Sequence, residues 1–404
     1  MSKRSAVSFS TLIKGAQILA PHPGIVSKLI SLQLAKWFFP LFNGGADKGR
    51  GGRIHQLSIR ITDKCNLRCH TCGQWGDNGF LHGKDLSFLK QEEVAPERYN
   101  LLFQDIVKNG HRPNVYLWGG EPTMYHGLES VIDGATKLHL PVSIATNGHS
   151  LSTYAEHFAS QPLFLLQVSV DGHNKDIHNA ARPSAGKGDS FNDIVAGIKA
   201  VREEKRKCSS KLPILASLTV VSRHNISHLV DIYTMLKDDV DVCVFYLSWW
   251  IDEADANRHD GDFMDRFGFN PKRHRGWLGS WKPDTYRELA SQLDLLRSLA
   301  RSVSNPAVNI IPDISSESSL ETYYTDHREL FGYRQCISVF QAVELNSNGD
   351  MSPCRDYHDY VVGNVKESTI TELWNCDNYR SFRKSIRNEG LMPVCSRCCG
   401  LMGY

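Results

Sequence analysis

Six short apolar runs, at residues 54–61, 114–118, 141–146, 164–170, 213–221 and 240–247, constrain the fold of this chain more than any other feature. They read as near-continuous apolar segments, the pattern of strands covered on both faces in a parallel sheet. Helical stretches separate them, at 92–109, 126–138, 150–160, 190–206 and 225–237. Six such βα units fit an α/β chain closed into an open (β/α)6 barrel. Parallel α/β folds carry their sites at the carboxyl ends of the strands. The loops after these runs are therefore where chemistry is expected.

The first of those loops holds Cys65-Asn-Leu-Arg-Cys69-His-Thr-Cys72, directly after Leu57-Ser-Ile-Arg-Ile-Thr62. Three thiolates this close on one loop converge on one metal centre. Four thiolates close a 4Fe–4S cube, and three leave one iron open. A tetrahedral zinc site takes a fourth ligand, for which His70 is near. The spacing alone says soft metal and leaves both open. It leans towards a cluster, because paired C-x2-C knuckles are the commoner zinc signature.

The next strand ends carry motifs in order. Gly119-Gly-Glu121-Pro122 follows the second run, Thr146-Asn147-Gly148 the third, and Ser169-Val-Asp171-Gly172 the fourth. This succession resembles the radical S-adenosylmethionine (SAM) superfamily over about residues 54–250. The resemblance implies a partial (β/α)6 barrel in which Cys65, Cys69 and Cys72 hold a 4Fe–4S cluster. The open iron of that cluster would take the amino and carboxylate groups of SAM. It implies reductive cleavage of SAM to a 5′-deoxyadenosyl radical that takes hydrogen from an unactivated C–H. A one-electron reductase such as flavodoxin or ferredoxin is the implied partner.

By the same resemblance, Gly119, Gly120 and Glu121 hold the SAM amino group, and Ser169 and Asp171 meet the ribose. Asn147 is a further cofactor contact. Arg182, in His178-Asn-Ala-Ala-Arg182-Pro, offers the SAM carboxylate a fork suited to it. The plainer alternatives are a turn for Gly-Gly-Glu, a loop cap for Asp171 and a surface salt bridge for Arg182. Thr71 departs from the family, which usually has an aromatic residue there. No catalytic acid or base is assigned.

A second cysteine set closes the chain: Cys336, Cys354, Cys395, Cys398 and Cys399. Asn346-Ser-Asn-Gly-Asp350 between them reads as a hairpin turn. Cys336-x12-Gly349-x4-Cys354 resembles the opening of the family's SPASM and Twitch extensions. The three further cysteines that a full SPASM domain carries beyond a C-x2-C pair are absent, so the resemblance is to the shorter Twitch form. It implies one auxiliary 4Fe–4S cluster on Cys336, Cys354, Cys395 and Cys398, with Cys399 as a substitute for Cys398. A structural zinc site is the alternative. Cys208, Cys243 and Cys376 fit no ligand spacing.

Between barrel and extension, residues 248–283 form an aromatic insert, with Trp249, Trp250, His274, Trp277 and Trp281, expected at the barrel mouth or as a lid's own core. Tyr246 is a further candidate mouth residue. A helix is expected at 284–301, and 302–335 reads as an irregular Ser/Glu-rich linker. The domains are thus 1–53, 54–301, 302–335 and 336–404.

Charge divides the chain. Its 404 residues carry a net +2, but residues 1–53 hold eight Lys/Arg and one Asp. That segment reads as a basic amphipathic helical extension with a Gly-rich linker. It packs on the protein, contacts a membrane surface through residues 9–42, or acts as a targeting peptide. Lys28 and Lys36 argue against a spanning helix. Eleven Cys without a secretory signal suit a reducing, cytoplasmic setting, peripheral on a membrane where the extension docks. Nucleic acid is not an expected partner. The substrate classes in competition are a lipid or membrane-associated molecule, a ribosomal peptide and a small polar metabolite. A non-enzymatic zinc protein is the rival of a different class.

Overall fold

The computed structural model describes residues 48–402, apart from 162, 187–188, 280 and 303–304. The expected N-terminal amphipathic helix and its membrane contact lie outside the described residues. Among the described residues, no helix is long and apolar enough to cross a membrane.

Seven parallel strands run side by side in chain order. They are β1 (Gln56–Thr62), β2 (Asn114–Gly119), β3 (Val142–Thr146), β4 (Leu165–Ser169), β5 (Ile214–Val221), β6 (Val242–Leu247) and β7 (Ala307–Ile311). The six expected runs become β1 to β6. Helices α1 (Leu86–Gln91) and α2 (Pro96–Lys108) follow β1, and α3 (Leu128–Lys137) follows β2. Then come α4 (Leu151–Ser160), α5 (Lys175–Ala181), α6 (Ser190–Lys207) and α7 (Leu229–Leu236). The aromatic insert contributes α8 (Glu253–Phe267), and α9 (Tyr286–Leu299) leads to β7.

The sheet and helices bury one continuous core. On β1, Leu57, Ile59 and Ile61 are fully buried and share a cluster with Tyr99, Leu102, Phe103 and Ile106 of α2. Those four lie at helical spacing on one face of α2, which starts with Pro96 in its first turn. Each fully buried aliphatic or aromatic side chain contributes about 1.5–3 kcal/mol. Ser58, Arg60 and Thr62 alternate with the apolar positions and are also buried, so the opposite face of β1 is polar.

Residues 302–335 are not an irregular linker. They contain β7, which pairs with β6 from Val242↔Ala307 to Tyr246↔Ile311, and α10 (Glu317–Thr325). Ser316 caps α10 by accepting from the Ser319 N–H. The barrel sheet therefore has one parallel strand more than expected.

The C-terminal hairpin is continuous with the barrel. After α11 (Ser338–Gln341), β8 (Ala342–Leu345) pairs in parallel with β1, from Gln56↔Ala342 to Ile59↔Leu345. Strand β9 (Asp350–Ser352) returns antiparallel, and β10 (Gly363–Asn364) pairs with it. Gly349, at φ +91°, makes the turn that the sequence signals. Then follow α12 (Ile370–Trp374), α13 (Asp377–Asn388) and a last short α14 (Cys399–Met402). Buried Arg383 on α13 donates to the carbonyls of Val339 (2.7 Å) and Trp374 (2.8 Å). It lies between the rings of Trp374 and Tyr379, tying the extension together.

Candidate active site

The cysteine loop is held from two sides. Residues 181–185 run beside it: Arg68 N–H donates to the Pro183 carbonyl (2.7 Å) and Ala185 N–H to the Asn66 carbonyl (2.9 Å). Turn bonds from Cys72 N–H to Cys69 O (3.1 Å) and from Gly76 N–H to Cys72 O (2.8 Å) curl the loop. Each of its three sulfurs then receives one N–H. Leu67 N–H donates to Cys65 Sγ and Trp75 N–H to Cys72 Sγ, both at 3.4 Å. Arg182 Nη1 donates to Cys69 Sγ at 3.6 Å.

Donors aimed at sulfur favour the thiolate, the form that binds metal. Burial works against it, pushing the Cys69 thiol up to about 11 although Arg182 pulls the other way. Burial raises the Cys65 thiol further. Metal binding must therefore drive off these protons.

Among the described residues, neither cysteine set brings three sulfurs within 4.8 Å of one another. Zinc–sulfur bonds of about 2.3 Å in a tetrahedron require sulfurs only about 3.8 Å apart. Thiolates on the different irons of a cluster stand further apart than that.

The Gly-Gly-Glu turn packs on the exit of β1. A Cβ on Gly120 would lie 2.1 Å from the Lys64 carbonyl oxygen, and Gly119 has φ +141° with Thr62 O 2.4 Å from its Cβ position. The glycines are thus needed for backbone contact within the protein. Replacing Gly120 by Ala is expected to cost about 1–3 kcal/mol as the two chains separate. A lowered thermal midpoint together with a loss of SAM cleavage checks this.

Glu121, 1% exposed, ties the end of β2 to the end of β3. Its Oε1 accepts from Thr146 Oγ1 (2.6 Å), Thr123 Oγ1 (2.8 Å) and Thr123 N–H (3.1 Å), and Oε2 from Asn147 N–H (2.6 Å). Burial pushes its carboxyl up, and these donors oppose the shift. Asn147 Nδ2 donates to Asn66 Oδ1 (2.7 Å), joining the Thr-Asn-Gly turn to the cysteine loop. Asn66 was not singled out from the sequence. Its only signal there is its place inside the C-x3-C run.

The fourth strand end is committed differently from its expected ribose role. Asp171, 2% exposed, accepts from Val220 N–H (2.8 Å) at Oδ1 and from Arg182 Nε (2.7 Å) at Oδ2. Its own N–H donates to His178 Nδ1 (3.2 Å). Asp171 therefore holds Arg182 against Cys69. Ser169 ends β4 half-buried.

A cavity of about 400 Å³ opens beside this loop. Thr71, Cys72, Trp249, Trp250, Trp277 and Trp281 line it. His70, Arg223 and His224 add a basic rim. The aromatic insert thus reaches the barrel mouth. It is keyed to the cysteine loop, since a Cβ on Gly73 would meet the Trp277 ring at 2.3 Å. His274 does not line the cavity. It is fully buried, 3.2 Å from Asp260. Tyr246 stands behind the wall, its ring 5.4 Å from that of Trp249.

The second cysteine set also converges. Cys336 precedes α11, Cys354 follows β9, Cys395 lies in the turn Pro393–Arg397 and Cys398 directly follows that turn. After burial, the largest influence on the Cys395 thiol is Cys336, and together they push it up to about 12. Cys354 is raised by burial, then by Asp356, Cys395 and Cys336. Cys398 Sγ faces Asp356 Oδ2 at 3.4 Å. Four thiols from three segments are thus gathered in one buried region, a donor set suited to a closed cluster. Cys376 turns to the Val362 carbonyl, Cys243 is buried in β6 and Cys208 is exposed. The Cys399 side chain lies outside what the structure describes.

Comparisons with known proteins agree with this arrangement. The radical SAM superfamily profile matches residues 59–236, and the iron–sulfur cluster-binding SPASM domain profile matches residues 336–399. An AdoMet-dependent heme synthase of Methanosarcina barkeri is 24% identical, over 85% of this chain and 87% of that protein. A cysteine-type anaerobic sulfatase-maturating enzyme of Clostridium novyi is 23% identical, over 85% and 86%. Among solved structures, SuiB of Streptococcus suis bound to S-adenosylmethionine shares the fold. Its TM-score is 0.57 at 13% identity, covering 88% of this chain and 73% of that one. With its two cysteine sets carried by loops and turns around one continuous sheet, the chain belongs to the radical SAM superfamily, an enzyme that uses SAM, a 4Fe–4S cluster and a SPASM-type auxiliary cluster.

Proposed function

We propose that this enzyme abstracts hydrogen from an unactivated C–H in an apolar group of its substrate, seated in the tryptophan-lined cavity. The observation that carries this reading is the cavity itself, lined by Cys72 and by four tryptophans. When bound, the Cys65–Cys69–Cys72 cluster supplies the electron that splits SAM, releasing a carbon radical strong enough for that abstraction. The protein's own part is position and exclusion of water.

Arg182, fixed by Asp171, keeps a positive charge beside Cys69 and towards the carboxylate end of SAM. The backbone of Gly119 and Gly120 would hold the amino end, with Glu121 and Asn147 setting the turn, and Ser169 would serve the ribose. Cys336, Cys354, Cys395 and Cys398 hold the auxiliary cluster, where four thiolates leave no iron for substrate and suit electron transfer. A flavodoxin- or ferredoxin-type reductase supplies the electrons.

The apolar wall favours a lipid or membrane-associated substrate over a small polar metabolite, as does the basic, aromatic character of residues 9–42. A peptide side chain is the second reading. The sulfatase-maturating relative favours it, as does a structure of SuiB bound to its precursor peptide.

The test combines anaerobic iron and sulfide quantitation with an assay for 5′-deoxyadenosine after reduction. About eight iron and eight sulfide per chain, with 5′-deoxyadenosine formed, is the expected result. Zinc in place of iron, with no nucleoside product, would overturn it. For the substrate class, deletion of residues 1–46 is expected to release the enzyme from membranes while SAM cleavage continues. Unchanged fractionation would remove the lipid reading.

A further inference from the structure

Behind the cavity wall stands a group of side chains with no part in the chemistry above. Asp252 caps α8, Asp255 lies in its first turn, and His327 follows α10. Each offers one ligand atom, and the three atoms lie within 4.8 Å of one another. His327 is 5% exposed and Asp255 3%. His327 Nδ1 and Asp255 Oδ2 are both buried without a hydrogen-bond partner. Asp252 Oδ2 stands 3.3 Å from that Nδ1.

Unpaired polar atoms in the interior are costly, and two in one cluster ask for a shared partner. The neighbours do not supply one. Asp252 Oδ1 is spent on the Asp255 N–H (2.7 Å), and Arg258 takes the other Asp255 oxygen. Arg397, 1% exposed, is near enough to feel the Asp255 charge. Its N–H groups are nevertheless spent on the carbonyls of Tyr323, Asp326, Glu329 and Ser396.

We propose that Asp252, Asp255 and His327 bind one divalent cation of the zinc class, a third metal centre separate from both iron–sulfur clusters. Two carboxylate oxygens and an imidazole nitrogen are ligands of borderline hardness, suited to zinc and unsuited to a soft cluster. The cation satisfies both orphaned atoms and balances the two carboxylates. A protonated His327 facing Asp252 is the competing account. That account leaves Asp255 Oδ2 buried without a partner. The site also has a mechanical consequence. The ring of Trp250, which lines the cavity, lies 4.4 Å from that of His327. The cation fastens the start of α8 to the segment after α10, and so fixes that wall.

The test uses anaerobically purified enzyme with its full iron content, dialysed against zinc ion and then against metal-free buffer. About one zinc per chain is expected to remain, in addition to about eight iron. In Asp255→Asn and in His327→Gln, zinc should fall to about a tenth of that or less, with iron unchanged. Anomalous scattering at the zinc edge from crystals of the unaltered enzyme reads the site directly, whatever the variants do. A peak between Asp252, Asp255 and His327 supports the proposal. Iron-replete enzyme that retains no zinc, or a peak elsewhere alone, overturns it.

Discussion

Replacement of Cys69 by Ala abolishes SAM cleavage and removes about half of the iron, from about eight atoms per chain to about four. Two observations lead to this result. The three loop sulfurs are presented as a unit, each receiving its own N–H, and Cys69 takes the charged donor, Arg182. Losing that thiolate leaves two ligands and a buried guanidinium without its sulfur. The auxiliary set is built on other segments, around α11, β9 and the turn Pro393–Arg397, so its iron stays. The rate of 5′-deoxyadenosine formation should fall below about 1% of the parent, because no other group on the loop can replace a thiolate at that spacing. Cys208→Ser is the control. That cysteine is exposed and away from both sets, so iron and rate should both hold. Cleavage at the parent rate by Cys69→Ala would sink the assignment of this loop.

How far the sequence announced this site depends on the range of the contact. Strands β1 to β6 were legible because each buries a row of apolar side chains, as Leu57, Ile59 and Ile61 do on β1. β7 was not. It is five residues long, carries Asn309 at its centre, and sits in a Ser/Glu-rich stretch that reads as linker. Its pairing with β6 makes it a strand, and local composition does not encode that pairing. The cysteine sets were legible from spacing, and the hairpin before Cys354 from its Asn-Gly turn. The use of Asp171 and Arg182 was not. Arg182 meets Cys69 across 113 residues of chain, and the bond between Asp171 and Val220 spans 49. Each residue alone suggested a ligand contact, and only the fold shows that they spend their charge on each other and on the cysteine loop. In the same way, the aromatic insert announced bulk, while its seat against Gly73 depends on the barrel closing.

The chain Asp171–Arg182–Cys69 yields the second large effect, and here stability and redox chemistry should separate. Arg182 Nε lies 2.7 Å from Asp171 Oδ2, with side-chain exposures of 11% and 3%. Burial disfavours the guanidinium charge, but Asp171 and Cys69 together outweigh it and hold the group protonated. Arg182→Leu leaves the Asp171 carboxylate buried with only the Val220 N–H as a partner. Breaking a buried pair in this way costs about 3–5 kcal/mol. Asp171→Asn alone should cost less, since the amide oxygen can still accept. Adding Asp171→Asn to Arg182→Leu removes the orphaned charge, so the thermal midpoint of the double variant should recover most of the loss. The cluster should not recover with it. Both Arg182 variants lack the cation beside Cys69 Sγ, and adding an electron there becomes harder. The potential of the SAM-binding cluster should then move to more negative values in both, and SAM cleavage should slow by at least about tenfold. Asp171→Asn alone should keep the potential near that of the parent. Redox titration followed by electron paramagnetic resonance separates the outcomes. If Arg182→Leu retains its cluster at an unchanged potential, the guanidinium acts only as a brace for Asp171, and its contact with Cys69 has no electronic role.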